Sequence, residues 1–387
     1  MAITKVRGSG VDFDATNTTK GLKMPSGTAF PGSETAVQGM IRNDTNQTSA
    51  GASSTMQHYN GLKWKNFVNV TPQATFEVLM AAGGGGIGTG AGAGGGGAGG
   101  LLTGSLTVDK GTQISITVGA GGSGDVSQTY ATVGLNGGDT VLAISGGTTY
   151  TADGGGGGGV NNSTPGSTPT GGSGGGNGGY FGNNSESGQG IATQTNQNGS
   201  EGNLTGYGNN GGAQAGVSSP CCYYTGAGGG GAGTAGASSA NSPGPYAGAG
   251  GDGIISTILS TSDVSTYISA SLVDGGNVYF GGGGGGATDS SFTAGAAGKG
   301  GGGAGVSGTQ TSGNDGIDYS GGGAGASYNT ITGNINRGTG GKGVVIIRVL
   351  ESKKGTAASS GTVESFLASD NNNFRIFIFK DSGTYTV

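Results

Sequence analysis

The side chains that most often carry chemistry are scarce in this sequence, and their placement argues against each reaction they could support. There is one histidine, His58, and the two cysteines, Cys221 and Cys222, are adjacent. A Cys/His zinc centre needs three or four such ligands brought together, and this set does not supply them. A Ser-His-Asp triad would have to use His58, which falls in a stretch that reads as a β-hairpin, so it is expected to be a surface or packing histidine. Consecutive Cα atoms lie about 3.8 Å apart, below the usual disulfide range. The cysteine pair is therefore expected as free thiols, as in a product of a reducing cytosol, either filling a small space or, with Tyr223 and Tyr224 after Pro220, forming a reactive or contact patch.

Three further patterns fail for lack of context. Gly90, Gly92 and Gly95 fit G-x-G-x-x-G, but no helix-forming sequence follows, and a dinucleotide loop needs one. Neither Gly298-Lys299-Gly300 nor Gly341-Lys342-Gly343 carries the Ser/Thr that completes a phosphate loop. Asp315 and Asp318 could form a carboxylate pair, yet in a polar loop they are expected to be solvated acids. The sequence thus predicts a non-enzyme, with no catalytic residue, cofactor or metal. The net charge is −5 with no basic stripe, so nucleic-acid binding has no electrostatic footing. Polar residues follow Met1–Arg7, which predicts no signal peptide. No apolar run approaches 18 residues, which predicts no membrane insertion.

What remains is glycine, 98 of 387 residues, about four times the usual share. Its distribution divides the chain. Residues 1–70 have ordinary glycine content, and the Asn60-Gly61 step between Met56–Tyr59 and Trp64–Val68 is a strong hairpin signal. This reads as a small β attachment unit with Tyr59 and Trp64 as apolar anchors. Residues 71–350 form a glycine-rich module. Strand-like islands occur at Phe76–Met80, Leu106–Val108, Ile114–Val118 and Val141–Ile144. The nearly continuous run Gly343–Leu350 reads as a strand covered on both faces. Residues 351–387 read as a tail, with Phe374–Phe379 and Thr384–Val387 expected to form a β-hairpin about Asp381-Ser382-Gly383. No window has a convincing 3.6-residue apolar period, so the fold class is mainly β with almost no α-helix.

The glycine runs at 94–97, 154–159, 228–231, 281–286 and 300–303 have two readings, flexible linker or lattice. Polyproline-II geometry has three residues per turn and no internal hydrogen bonds, so its N–H and C=O groups point outward. Made of glycine, such helices can lie side by side and bond to one another through their backbones. Gly92–Gly100 keeps small residues throughout, as an interior lattice member must. Gly156 and Gly284 are expected to be interior scaffold positions.

Two stretches resemble known proteins. Residues 21–70, with Gly21-Leu22-Lys23-Met24-Pro25-Ser26-Gly27, Gly39-Met40-Ile41-Arg42 and Tyr59-Asn60-Gly61-Leu62-Lys63-Trp64, resemble short β-units of phage tail-fibre proteins. Residues 75–350 are similar to a glycine-rich domain of marine phage fibres. The likeness rests on Val78-Leu79-Met80-Ala81-Ala82 leading into Gly83–Gly86, on Gly251-Asp252-Gly253-Ile254, and on Gly343-Val344-Val345-Ile346-Ile347-Arg348. The tail from Phe374 resembles a segment that flanks this domain. The resemblance implies stacked polyglycine-II helices, as in the adhesins of some long tail fibres, which bind host surfaces through loops at one end. It also implies a virion location and attachment to other virion or tail proteins through the N-terminal region. The host partner would be a surface glycan or outer-membrane protein. The alternative is a structural virion component, a capsid decoration fibre or tail accessory, without receptor binding; an ice-binding bundle is disfavoured by the irregular interruptions.

Polyglycine offers only backbone, so discrimination is expected in the polar, aromatic segments 160–170, 180–210, 217–225, 237–247 and 261–280. Tyr and Asn there suit glycan or loop recognition. The chosen contact residues are Tyr180, Phe181, Tyr223, Tyr224 and Tyr246, against the alternative that these aromatics cap the lattice ends. Residues 1–70 are too few to bury a core alone. A homotrimer, with Trp64 and Phe67 meeting their copies at the axis, is expected on cyclic symmetry.

Overall fold

The computed structural model describes residues 41–44, 55–59, 64–66, 72–88, 90–124, 132–160, 170–179, 189–214, 224–240, 245–289, 292–308, 312–328, 338–359 and 361–387. The chain forms two compact units, Met1–Thr71 and Pro72–Val387. In the first, β1 (Ile41–Asp44), β2 (Thr55–Tyr59) and β3 (Trp64–Asn66) form an antiparallel sheet in that order. β2 and β3 pair with Tyr59 opposite Trp64, so the strands flank Asn60-Gly61 as the hairpin signal requires. Phe67, and the side chain of Trp64, lie outside the described residues.

The second unit is built on two antiparallel sheets. Its strands are β4 (Gln73–Ala81), β5 (Leu101–Asp109), β6 (Gln113–Thr117), β7 (Thr140–Ile144), β8 (Thr149–Ala152), β9 (Gln197–Gly199), β10 (Gly202–Tyr207), β11 (Ile254–Ser256), β12 (Val273–Asp274), β13 (Asn277–Phe280), β14 (Val344–Leu350), β15 (Thr356–Ser359), β16 (Val363–Leu367), β17 (Phe374–Phe379) and β18 (Gly383–Thr386). The larger sheet runs β16-β17-β14-β4-β5-β10-β9, and the smaller β15-β18-β6-β7-β8. Alternation explains their packing. Phe76, Val78, Met80, Leu102, Leu106, Val345, Ile347, Phe377 and Phe379 face Ile114, Ile116, Leu142, Tyr150 and Tyr385 in one buried cluster between the sheets.

β14 is buried on both faces, as its sequence predicts. Its other face, with Leu79, Leu101, Val344, Ile346, Ile376 and Ile378, is covered by a second layer. That layer holds the small sheet β11-β13-β12 and the helix α1 (Thr261–Tyr267). Ser260 caps α1, its Oγ accepting from the Asp263 N–H at 3.0 Å. Gly275 and Gly276, with φ 54° and 80°, make the two-residue turn between β12 and β13, a turn that requires positive φ at both central positions.

The expected hairpin at the end of the chain is not formed. β17 pairs with β14 and β16 in the larger sheet, whereas β18 pairs with β15 and β6 in the smaller one. Asp381-Ser382-Gly383 therefore carries the chain across the sandwich. The reason is burial: Phe377, Phe379 and Tyr385 fill the space between the sheets, with the Phe377 and Tyr385 ring centroids 5.2 Å apart.

Above the sheets stands the glycine lattice, and its hydrogen bonds repeat every third residue. From segment 93–100, Gly94, Gly97 and Gly100 donate to Gly159, Gly156 and Asp153. Gly95 and Ala98 donate to Ala227 and Gly230, and Gly96 and Gly99 to Ala324 and Gly321. Its carbonyls accept from Gly85, from Ser173 and Gly176, and from Gly284 and Ala287. One segment thus bonds to neighbours on every side, as three residues per turn dictate. These are stacked polyglycine-II helices, and Gly156 and Gly284 are both buried within them. Gly156 donates to Ser173 at 2.9 Å and accepts from Gly97 at 2.8 Å. Side chains can join the pattern: Gly154 and Gly157 donate to Asp139 Oδ1 and Asn136 Oδ1.

Candidate functional site

The directions of the glycine helices decide which parts of the chain share an end. The segment 82–88 leaves β4 and 93–100 returns into β5, while 118–124 leaves β6 and 132–139 returns into β7. Likewise 208–214 leaves β10, and 281–289 leaves β13. Reading the hydrogen-bond registers outward, 179 and 189, 214 and 224, 240 and 245, 289 and 292, 308 and 312, and 328 and 338 all stand at the end away from the sheets. Successive helices along the chain alternate in direction, so one lattice end gathers residues far apart in sequence.

Described side chains at that end are of two kinds. Tyr328 is fully buried among Ala91, Ala93, Ala287 and Ala326, and Tyr224 packs half-buried against the same group. This small apolar cluster closes the lattice end, so Tyr224 has the capping role rather than a free one. Tyr246 differs. Its backbone is fixed on both sides, exchanging bonds with Ala240 at 2.9 and 3.1 Å and forming a bridge to Thr293. Its side chain remains 48% exposed. Its backbone is thus ordered before any partner arrives, while the ring stands in solvent. Tyr180, Phe181, Tyr223, Cys221 and Cys222 lie outside the described residues.

Two of the segments chosen from sequence are placed elsewhere. Most of 261–280 forms α1, β12 and β13 at the sheet end, with Val264, Leu272, Val278 and Phe280 buried. The part of 180–210 that is described gives an outer lattice strand and the β9–β10 hairpin. Polar composition marks both as loops, but the apolar residues of 261–280 cover β14, and Leu204 of β10 is buried between the two sheets.

The side chains considered for catalysis act as stitches. Asp315 Oδ1 accepts from the Thr339 N–H at 2.6 Å, and Asp318 Oδ1 from the Lys342 N–H at 3.0 Å. Lys342 pairs with Asp381, and Lys299 with Asp274 at 2.9 Å. Gly90 and Gly92 have φ 131° and 66° in a turn, and Gly95 is inside the lattice. No group of three His, Cys, Asp or Glu residues able to hold a metal occurs among the described residues. No helix among them is long and apolar enough to cross a membrane.

Residues 65–350 match the glycine-rich domain family. The chain belongs to that family. The match opens in β3 and ends with β14, so the glycine-rich domain takes in the whole lattice. β15 to β18 follow it in sequence yet complete both of its sheets. No curated protein matches the chain.

Proposed function

We propose that this glycine-rich domain protein is a bacteriophage fibre subunit that binds a host-surface receptor through the lattice end farthest from its sheets. The observation that carries the reading is Tyr246, an exposed ring on a doubly anchored backbone, at an end where many chain returns converge. Such a layout separates two tasks. The lattice interior is held by backbone bonds, so exposed contact residues at its tip vary at little cost to stability. The host partner in this reading is a surface glycan or outer-membrane protein, and residues 1–70 join the fibre to other virion proteins as a homotrimer.

The test is binding of the purified chain to candidate host cells, with lipopolysaccharide-deficient and porin-deficient strains as controls, together with antibody labelling of the particle. Saturable binding lost in one mutant strain, and label on the tail, support the reading. Label on the head without cell binding overturns it in favour of a structural decoration protein.

A further inference from the structure

A groove of about 470 Å³ opens on the outer face of the larger sheet, at the opposite end of the domain from Tyr246. Its floor is β4, β5 and β10, and its wall is the segment Ile254–Ile258. We propose that this groove binds a neutral saccharide. The volume lies within the usual range for small-molecule sites, about 300–1,000 Å³.

The lining chemistry selects the ligand. Tyr207 is half-buried against the apolar cluster that includes Leu79 and Leu101, which holds its ring at the groove. With Ile254 and Ile255 it offers the apolar surface on which the C–H face of a sugar ring packs. Around that surface stand Thr103, Ser105, Ser256 and Thr257. Thr103 donates to the Val78 carbonyl at 3.0 Å, which leaves its oxygen free to accept. Ser256 Oγ accepts from the Ile258 N–H at 3.3 Å, which leaves its proton to give. Glu77, opposite Ser105 in the β4–β5 register, brings a carboxylate that is 53% exposed and suited to two ligand hydroxyls.

Charge excludes the other classes. The Arg348 guanidinium lies beside Glu77, with Nε 3.9 Å from the carboxylate, too far for a hydrogen bond but near enough to offset its charge. The same guanidinium donates to the Thr257 carbonyl at 3.3 Å and to Asp370 at 3.0 Å, and it stacks on Phe374 at 4.6 Å. Arg348 thus pins the groove wall to the sheet. An anionic ligand meets Glu77, a cationic one finds that carboxylate already countered by the largely buried Arg348 behind it, and an apolar one desolvates hydroxyls and a carboxylate without replacing their bonds. A neutral polyol with one apolar face pays none of these penalties.

The inference stands apart from the receptor reading, since the groove and Tyr246 occupy opposite ends. The test uses the full chain and four probes, methyl α-glucoside, methyl β-galactoside, methyl N-acetylglucosaminide and maltose, by saturation-transfer NMR and calorimetry. Glucuronate and glucosamine serve as charged comparators. At least one neutral probe should bind with millimolar or tighter affinity and exceed both comparators. Glu77→Gln should weaken that binding at least tenfold, and Ser105→Tyr, which fills the groove from an exposed strand position, should abolish it. Absence of binding by every neutral probe, preference for a charged sugar, or unaltered affinity in Glu77→Gln would overturn the proposal. Should Ser105→Tyr lower the melting temperature, the near-isosteric Glu77→Gln decides alone.

Discussion

Replacing Gly284 with Val tests whether the glycine lattice carries the fold. A Cβ at this position would lie 1.9 Å from the Ala324 carbonyl oxygen and 2.5 Å from its carbon. Both atoms are backbone, so the neighbouring helix must move by more than an ångström. Three bonds depend on that spacing: Gly284 N–H to Gly96 at 2.9 Å, Gly229 N–H to Gly284 at 2.8 Å, and Gly96 N–H to Ala324 at 2.8 Å. Each contributes about 1 kcal/mol net, and overpacking a dense interior costs about 1–3 kcal/mol. The sum, about 4–6 kcal/mol, is a large part of the 5–15 kcal/mol that ordinarily separates folded from unfolded protein. At about 2 °C per kcal/mol for a unit of this size, the melting temperature should fall by about 8–12 °C in differential scanning calorimetry. Gly156→Val, at another buried run, should behave alike. Ala297→Val adds the same kind of bulk at an exposed lattice position and should stay within about 0.5 kcal/mol. Unchanged melting in Gly284→Val, or equal losses in Gly284→Val and Ala297→Val, would refute the lattice as the source of stability.

Four further outcomes are expected. Tyr246→Ala should abolish host-cell binding with melting unchanged, whereas Tyr224→Ala should lower melting by a few degrees; the reverse pattern would exchange their roles. The Ser327 hydroxyl is buried without a partner, so Ser327→Ala should hold or raise the melting temperature, gaining up to about 1 kcal/mol. Glu351 is lowered to about 2 by hydrogen bonds from Arg375 and Lys354; a depressed carboxyl contributes stability that is present above its unfolded value and lost as pH falls. Acid titration from pH 4.5 to 2 should therefore lower melting more in the parent chain than in Glu351→Gln. Light scattering of the full chain at micromolar concentration should report a trimer, and Trp64→Ala with Phe67→Ala should convert it to smaller species.

The amino-acid sequence by itself determined the materials. The strand-like island Phe76–Met80 and the nearly continuous β-branched run Val344–Val349 fixed strands and a strand covered on both faces, because extended backbone sends successive side chains to opposite faces. Small residues from Gly92 to Gly100 fixed a lattice member, because a Cβ added at Gly94, Gly95, Gly96, Gly97 or Gly99 would meet a neighbouring backbone carbonyl. The scarcity of His and Cys fixed which metal and nucleophile chemistries had no residues to use.

Tertiary structure decided where those materials went. Phe374–Phe379 and Thr384–Val387 read as a hairpin, yet the space between two sheets took one strand each, since large apolar rings gain more there than in pairing with one another. The segment 261–280 read as a polar loop, yet Val264, Leu272 and Phe280 were needed to cover the second face of β14. The groove of Glu77, Tyr207 and Thr257 was invisible because its parts are separated by as many as 180 residues and meet only through sheet pairing, the apolar cluster around Leu79 and the Arg348 contacts. Which lattice end gathers the chain returns was equally hidden. A run of glycine specifies that it will bond outward in three directions, but not which partners it meets or whether they run with it or against it. Some helices are placed by the strands from which they depart, as 82–88 is by β4 and 281–289 by β13, and the others by packing between those already placed.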